Sequence, residues 1–380
     1  MDNTNRDFYE VNSRGDEPQI DKSARFGERI QVRKSLFPGV RKKGMQVTHI
    51  LISINMIIWL LIKVYSIYSG IPEGKLLTVF GAKDNALIMS GEYWRFLTPI
   101  FLHNGIIHLF LNSYSLYILG NMVERLIGKH RFLFIYIFSG IMGSIMSFMF
   151  SPNPAVGASG AIFGLMAVLV YHLIERRVIF RAQLGKTIMM TIAINLFYGF
   201  TVARIDNFGH IGGLIGGFFL AGAVGNKNLP RKKVSRIIFT ILTMFITVGF
   251  LFYGFTSQQN RQLKDINKME ILVEQQKWAE AENIGREIVE SETKNNTILS
   301  SVLWYLSIAE INQGKSMEAI EHARILSDVD PSNGYYLLGR MYAHVGEVEL
   351  AKKQLTKAMQ INPELRSEIQ NLLDMLENIY

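Results

Sequence analysis
The sequence predicts an all-α protein: a polytopic membrane helical bundle of seven spans followed by a soluble α-helical repeat domain. Three observations carry this. Of 380 residues, 49% are hydrophobic and the mean hydropathy is positive, more apolar than a soluble chain of this length sustains unless the excess is gathered into spans. The basic residues alternate from loop to loop between crowded and sparse. Beyond about residue 257 the chain turns polar and repeats itself with a period of 32.

Between about residues 47 and 255, seven stretches are long and apolar enough to cross a bilayer, which takes roughly 20 residues. They centre near Ile58, Ser115, Ile141, Met166, Ile192, Leu214 and Phe245, the fourth and sixth being short and glycine-rich. Lysine and arginine in short loops are retained on the cytoplasmic side. One set of loops holds fifteen of them: Arg41, Lys42 and Lys43; Arg125, Lys129 and Arg131; Arg176, Arg177, Arg181 and Lys186; then Lys227, Arg231, Lys232, Lys233 and Arg236. The alternate loops hold four, Lys75, Lys83, Arg95 and Arg204. This asymmetry predicts a cytoplasmic N-terminus. Seven spans then put everything after about Ser257 outside the cytoplasm.

Residues 1–45 mix ten basic with seven acidic residues and read as a solvated cytoplasmic arm with no cleavable secretory pattern. Asp2, Asp7, Glu10, Asp16 and Glu17 speak against an organelle transit peptide, which avoids acids, and for a bacterial-type cell membrane with the first span as an uncleaved anchor. The formal net charge of +8 conceals a split: from Ser257 onward 13 basic and 19 acidic residues give −6, leaving +14 for residues 1–256. That positive charge sits mostly in loops facing anionic membrane lipid, a reading preferred over nucleic-acid binding. The absence of cysteine excludes disulfides and thiolate metal sites.

In the tail, aligning Gly314 with Gly346 also aligns Ala319 with Ala351 and Pro331 with Pro363, which predicts helix, turn, helix and a proline stop. Leu338 and Gly339 fall where two helices would pack closely. An earlier partial unit holds Trp278, Ala279 and Ala281, and a last helix is predicted from about Pro363 to Tyr380. The pattern resembles two tetratricopeptide repeats flanked by capping helices. Such stacks usually bind a protein or peptide, with a merely structural appendage as the alternative.

Polar residues are costly within spans and mark function there. The first outer loop carries EYWRFLTPIF, with Trp94 and Arg95. The second span opens with FLHNGIIHLFLN, holding His103, His108 and Asn112, the last two sharing a helix face. GASGAIFG opens the fourth span, with Ser159 between Gly157 and Gly160, and NFGHIGGLIGG opens the sixth with His210. A serine hydroxyl is a weak nucleophile until a neighbouring base takes its proton, so Ser159 and His210 are candidates for that pair. Alone, Ser159 would read as a hydroxyl bonded to its own helix, and His210 as a core histidine.

The same letters describe the nucleophile elbow of soluble hydrolases, but an elbow needs a preceding strand, whereas Gly157 follows the turn SPNPAV between two spans. No acid lies inside the spans facing His210, and Asp206 reads as a helix-start residue, so a dyad is expected rather than a triad. Gly209, Gly213 and Gly217 on span six, with Gly160 and Gly164 on span four, would let the two backbones approach.

Over roughly Met45 to Gly225, these motifs in this order resemble the rhomboid intramembrane serine proteases: a Trp-Arg pair, a His-x4-His-x3-Asn array, Gly-x-Ser-Gly, and a histidine followed by glycines at spacing four. The resemblance implies a six-span core with one extra span, and Ser159 as nucleophile with His210 as general base. It implies Asn112, His108 and the Ser159 backbone N–H as oxyanion donors. It also implies Phe163 stacked on His210, with His103, Trp94, Arg95, Gly157 and Gly213 in support. Glu124, at the cytoplasmic end of span two, is expected to tie neighbouring helices or loops.

These readings divide the chain into an arm (1–45), a rhomboid protease membrane domain (46–256) and an extracytoplasmic tetratricopeptide-repeat domain (257–380). The expected activity is hydrolysis of peptide bonds in or near transmembrane segments, with single-span or other transmembrane proteins as substrates, and no cofactor or metal. A membrane scaffold presenting clients to another protease or chaperone is the alternative. A transporter would require paired intramembrane acids or discontinuous repeats, and neither is seen.

Overall fold
The computed structural model describes residues 46–175, 183–202, 205–225, 233–291, 293 and 295–379. The arm 1–45 lies outside them, as do Arg176, Arg177, Arg181, Arg204, Lys227, Arg231, Lys232 and Tyr380.

Each of the seven apolar stretches forms a helix. Helix α1 (Val47–Ser69) leads into a loop holding two short helices, α2 (Glu73–Val79) and α3 (Asn85–Met89), and two 3-10 turns (Tyr93–Phe96 and Thr98–Phe101). Then follow α4 (Ile106–Ile127), α5 (Lys129–Phe150), α6 (Ser159–Glu175), α7 (Gln183–Thr201), α8 (Asn207–Val224) and α9 (Lys233–Thr256). Five of these, α1, α4, α5, α8 and α9, are long and apolar enough to cross a membrane. Helix α6 has 17 residues, and α7 has 19 but dilutes its apolar residues with Gln183, Lys186 and Asn195. Among the described residues there is no strand, only an antiparallel bridge between Lys83 and Ala155.

Helix α6 is apolar on all sides and lies at the centre, buried almost continuously from Gly160 to Leu173, as such a helix must be. Helix α9 is its opposite: only Gly254 is buried, and Ile241, Phe245, Val248 and Phe252 face outward. Glycines bring α5, α6 and α8 together. A Cβ on Gly213 would run into the carbonyl oxygen of Gly160, and one on Gly217 into that of Gly164. On the other side of α8, a Cβ on Gly212 would come within 2.5 Å of the Met142 carbonyl oxygen, and one on Gly143 within 2.7 Å of that of Gly209. Small residues are what permit such backbone approach between membrane helices.

The start of α1 lacks a side-chain cap of its own; Glu124 of α4 supplies one. Its carboxylate accepts from Val47 N (2.9 Å), Thr48 N (2.9 Å) and the Thr48 hydroxyl (2.7 Å), all buried or nearly so. Thr48 also packs on Gly120, one turn earlier on α4. Glu124 therefore ties α1 to α4, and Glu124→Ala would strand two helix-terminal N–H groups. We expect it to lower unfolding stability by about 2 kcal/mol, measured as a reduced Tm in detergent.

After Ser257 the chain is again helical: α10 (Gln258–Glu274), α11 (Trp278–Glu290), α12 (Asn296–Ile311), α13 (Ser316–Val329), α14 (Pro331–His344), α15 (Val348–Ile361), a 3-10 turn (Pro363–Leu365) and α16 (Arg366–Ile379). The 32-residue period appears as repeated turns and contacts. Gly314 (φ 78°) and Gly346 (φ 81°) take the left-handed turn conformation two residues before their helices, and Gln276 (φ 59°) takes it before α11 without being glycine. Ala281, Ala319 and Ala351 are all fully buried. A Cβ on Gly339 would meet Leu355 at 2.7 Å, so this glycine admits close packing of α14 on α15.

Candidate active site
Ser159 is the first residue of α6, and His210 lies in the first turn of α8, whose start is capped by Asp206 accepting from Gly209 N at 3.1 Å. The glycine contacts bring these two helix starts side by side. Ser159 Oγ and His210 Nε2 are 2.9 Å apart, so the hydroxyl donates to the imidazole when the ring proton is on Nδ1. Phe163, one turn after Ser159 and on the same face, stacks on His210 with ring centroids 4.3 Å apart and planes 7° from parallel. Nδ1 of His210 has no hydrogen-bond partner among the described residues. Packing against Phe163, rather than an acid, sets the ring's orientation.

Gly157 is what lets the chain before Ser159 cross over α4. Its φ of 131° suits glycine alone, and a Cβ there would lie 2.8 Å from Cε1 and Nε2 of His108 and 3.7 Å from Nδ2 of Asn112. The imidazole of His108 and the amide of Asn112 thus lie against the backbone two residues before the serine. Asn112 Nδ2 donates to His108 O within its own helix at 3.2 Å, which occupies one of its two N–H donors. His103 is buried and meets the His108 ring edge-on at 5.2 Å. Burial, and then the neighbouring His108, push its pKa down to about 3, so it stays neutral.

Trp94 and Arg95 organise the loop before α4 and have no contact with Ser159. The buried Arg95 guanidinium donates to Glu92 Oε2 (2.8 Å), Thr78 O (2.6 Å) and Ala82 O (3.0 Å), and stacks over Trp94 at 4.5 Å. Trp94 itself is exposed, its ring set over Gly81, where a Cβ would sit 2.5 Å from it.

Lys83, which the sequence offered only as a loop position, proves to be built into the site. A cavity of about 40 Å³ beside Ser159 is lined by Lys83, Ser144, Ser147, Gly157, Asp206 and Gly209 among others. That is room for more than one water, each needing about 10–15 Å³. The Lys83 ammonium is fully buried and donates to Asn85 Oδ1 (2.8 Å), Ser151 O (2.9 Å) and Asn153 O (2.7 Å). One signal could have found it: Lys83 belongs to the basic-poor set of loops, where a lysine is exceptional.

A serine hydroxyl bonded to a ring-stacked histidine, at one end of an apolar helical bundle and beside a polar cavity, defines a class of membrane protein with a partly buried serine–histidine pair. Its relatives are consistent with that class. The rhomboid domain matches residues 90–227. The chain is 39% identical over 300 residues to rhomboid protease GluP of Bacillus subtilis, covering 78% of this chain and 57% of GluP. It therefore spans a little over half the length of that relative. It is 39% identical over 139 residues to putative rhomboid protease YdcA of Bacillus subtilis, covering 36% of this chain and 70% of YdcA. RHOMBOID-like protein 5 of Arabidopsis thaliana is 31% identical over 214 residues, covering 51% of this chain and 69% of that protein. The chain belongs to the rhomboid family and is a multi-pass membrane protein.

Proposed function
We propose that this protein is an intramembrane serine endopeptidase that hydrolyses peptide bonds in or near transmembrane segments of other membrane proteins. The observation that carries the reading is the 2.9 Å Ser159–His210 pair, held by the Phe163 stack, in a chain of this family. Ser159 Oγ attacks the scissile carbonyl as its proton passes to His210 Nε2, and an oxyanion forms on the carbonyl oxygen. His210 returns that proton to the departing amine, leaving an acyl-serine. Water from the adjoining cavity, deprotonated by His210, then attacks the acyl carbon and frees Ser159. Oxyanion donors are worth roughly 3 kcal/mol each; His108, the second N–H of Asn112 and the Ser159 backbone N–H take that role.

In the same reading α1 and α4–α9 are seven spans, with a cytoplasmic arm at 1–45. Ser159, His210 and a tetratricopeptide-repeat domain from residue 257 sit at the outer face of a cell membrane. Substrates are single-span or other transmembrane proteins, and the repeats hold a protein or peptide ligand. The test is co-expression with a tagged single-span substrate. Ser159→Ala is expected to eliminate cleavage at normal expression. Cleavage that survives it refutes the protease reading, and retained client binding with no cleavage by wild type would favour the scaffold instead.

A further inference from the structure
The tail is joined to the bundle beside the candidate active site. Its first helix, α10, packs on α3, and Asn260, buried in its first turn, is held on every polar edge. Asn260 Oδ1 accepts from Asn85 Nδ2 at 2.7 Å, and its Nδ2 donates to the carbonyls of Phe148 and Gly254, both at 2.9 Å. Asn85 Nδ2 also reaches the carbonyls of Phe148 and Ser151 at 3.1 Å, and Asn85 Oδ1 accepts from Lys83. Lys83 grips Ser151 and Asn153 through its ammonium, and its backbone exchanges bonds with Ala155 at 2.9 and 3.0 Å. Gly157 N donates to Pro99 O at 2.8 Å. An unbroken chain of bonds thus runs from the tail to the segment 151–157 that delivers Ser159.

Resting on the protease reading, we propose that Asn260 is a positioning residue for Ser159, acting through Asn85 and Lys83 on segment 151–157, so that the tail's first helix is part of the catalytic unit. The chemistry of the relay explains why each member is needed. An ammonium has three N–H donors, and Lys83 meets three acceptors. Asn85 both accepts from Lys83 and donates to Asn260, which its amide does through two separate atoms, Oδ1 and Nδ2. Losing Asn260 removes the shortest of the three bonds that Asn85 Nδ2 makes and one of the two amide donors on the Phe148 carbonyl, and so unties α10 from α3.

The relay is charge-dependent. Burial pushes the Lys83 pKa down to about 8 from its ordinary 10.5, while Asp206 and Asp84, the charged groups that act on it, oppose the fall. Above about 8 the amine keeps two N–H groups for three oxygens, so turnover is expected to decline as pH rises through that value. Stability moves the other way: the unfolded lysine binds its proton more tightly, so the fold gains stability between about 8 and 10.5. Unfolding therefore does not account for an alkaline loss of turnover.

The test uses the full chain in liposomes with a fluorescent single-span substrate, comparing wild type, Asn260→Ala, Asn85→Ala and their double variant, with Lys83→Met in the pH series. Asn260→Ala is expected to lower kcat about tenfold at unchanged KM, and the double variant to lose no more than either single one. Lys83→Met, at reduced kcat, is expected to lack the alkaline decline. Amide hydrogen exchange is read on the same samples, with segment 151–157 expected to exchange faster in Asn260→Ala. Unchanged exchange there overturns the coupling whether or not the protein cleaves. Loosened exchange with wild-type kcat overturns the positioning role. Absence of Ser159-dependent cleavage in wild type is the separate failure of the protease reading, and hydrogen exchange then decides the coupling alone.

Discussion
His210→Ala is expected to lower the cleavage rate by about 10⁴-fold or more, and adding Ser159→Ala to it is expected to cost nothing further. The reason is that the two groups act as one. Without the imidazole the hydroxyl keeps its proton and is a poor nucleophile, and without the hydroxyl the imidazole has no proton to take. Such pairs are strongly non-additive, and removing either member alone costs about as much as removing both. The measurement is single-turnover cleavage by the two single variants and the double one, with near-UV circular dichroism to show that the bundle is intact. Rates that multiply would mean that Ser159 and His210 contribute independently, contrary to a hydroxyl bonded at 2.9 Å.

Gly213→Val is expected to abolish cleavage while leaving both reactive groups in the chain. A Cβ at this position overlaps the carbonyl oxygen of Gly160, and valine adds two methyl groups beyond it. Helix α8 must then move away from α6, carrying His210 from Ser159, and a misplacement of about 1 Å already costs about 10²-fold. Gly213→Ala, with the Cβ alone, should fall between valine and wild type. Thermal unfolding in detergent separates this from gross misfolding, since overpacking costs about 1–3 kcal/mol rather than the whole fold. Normal cleavage by a stably inserted Gly213→Val protein would defeat the idea that the glycine contacts set the Ser159–His210 distance.

Much of this site was legible because a membrane makes polar residues conspicuous. Ser159, His210, His108 and Asn112 stand out in apolar helices, where each must satisfy its hydrogen bonds inside the protein. Phe163 was expected only from the family resemblance, and its ring lies 4.3 Å from that of His210 in a near-parallel stack. The glycines at spacing four announced a close crossing of α6 and α8. They did not announce that α5 joins it, although Gly143 and Gly212 close that side. Glu124 could be read as a tie between elements, but its partner was hidden. Its carboxylate caps a helix 76 residues away in sequence, and nothing local to either segment names the other.

Asn85 and Asn260 were illegible for the same reason in stronger form, and Lys83 showed only as an exceptional lysine in a basic-poor loop. Each takes its meaning from a bond to a partner distant in the chain. Asn85 and Asn260 are 175 positions apart. Composition, periodicity and loop charge, which act locally and through the solvent, were enough to determine seven apolar helices, a helical repeat tail and the reactive residue types at the helix starts. Only the tertiary structure decided which helix starts meet, how near the glycines bring them, and that the tail locks onto the loop beside Ser159. Those outcomes depend on contacts between surfaces, and a linear sequence specifies such contacts only once the chain has folded.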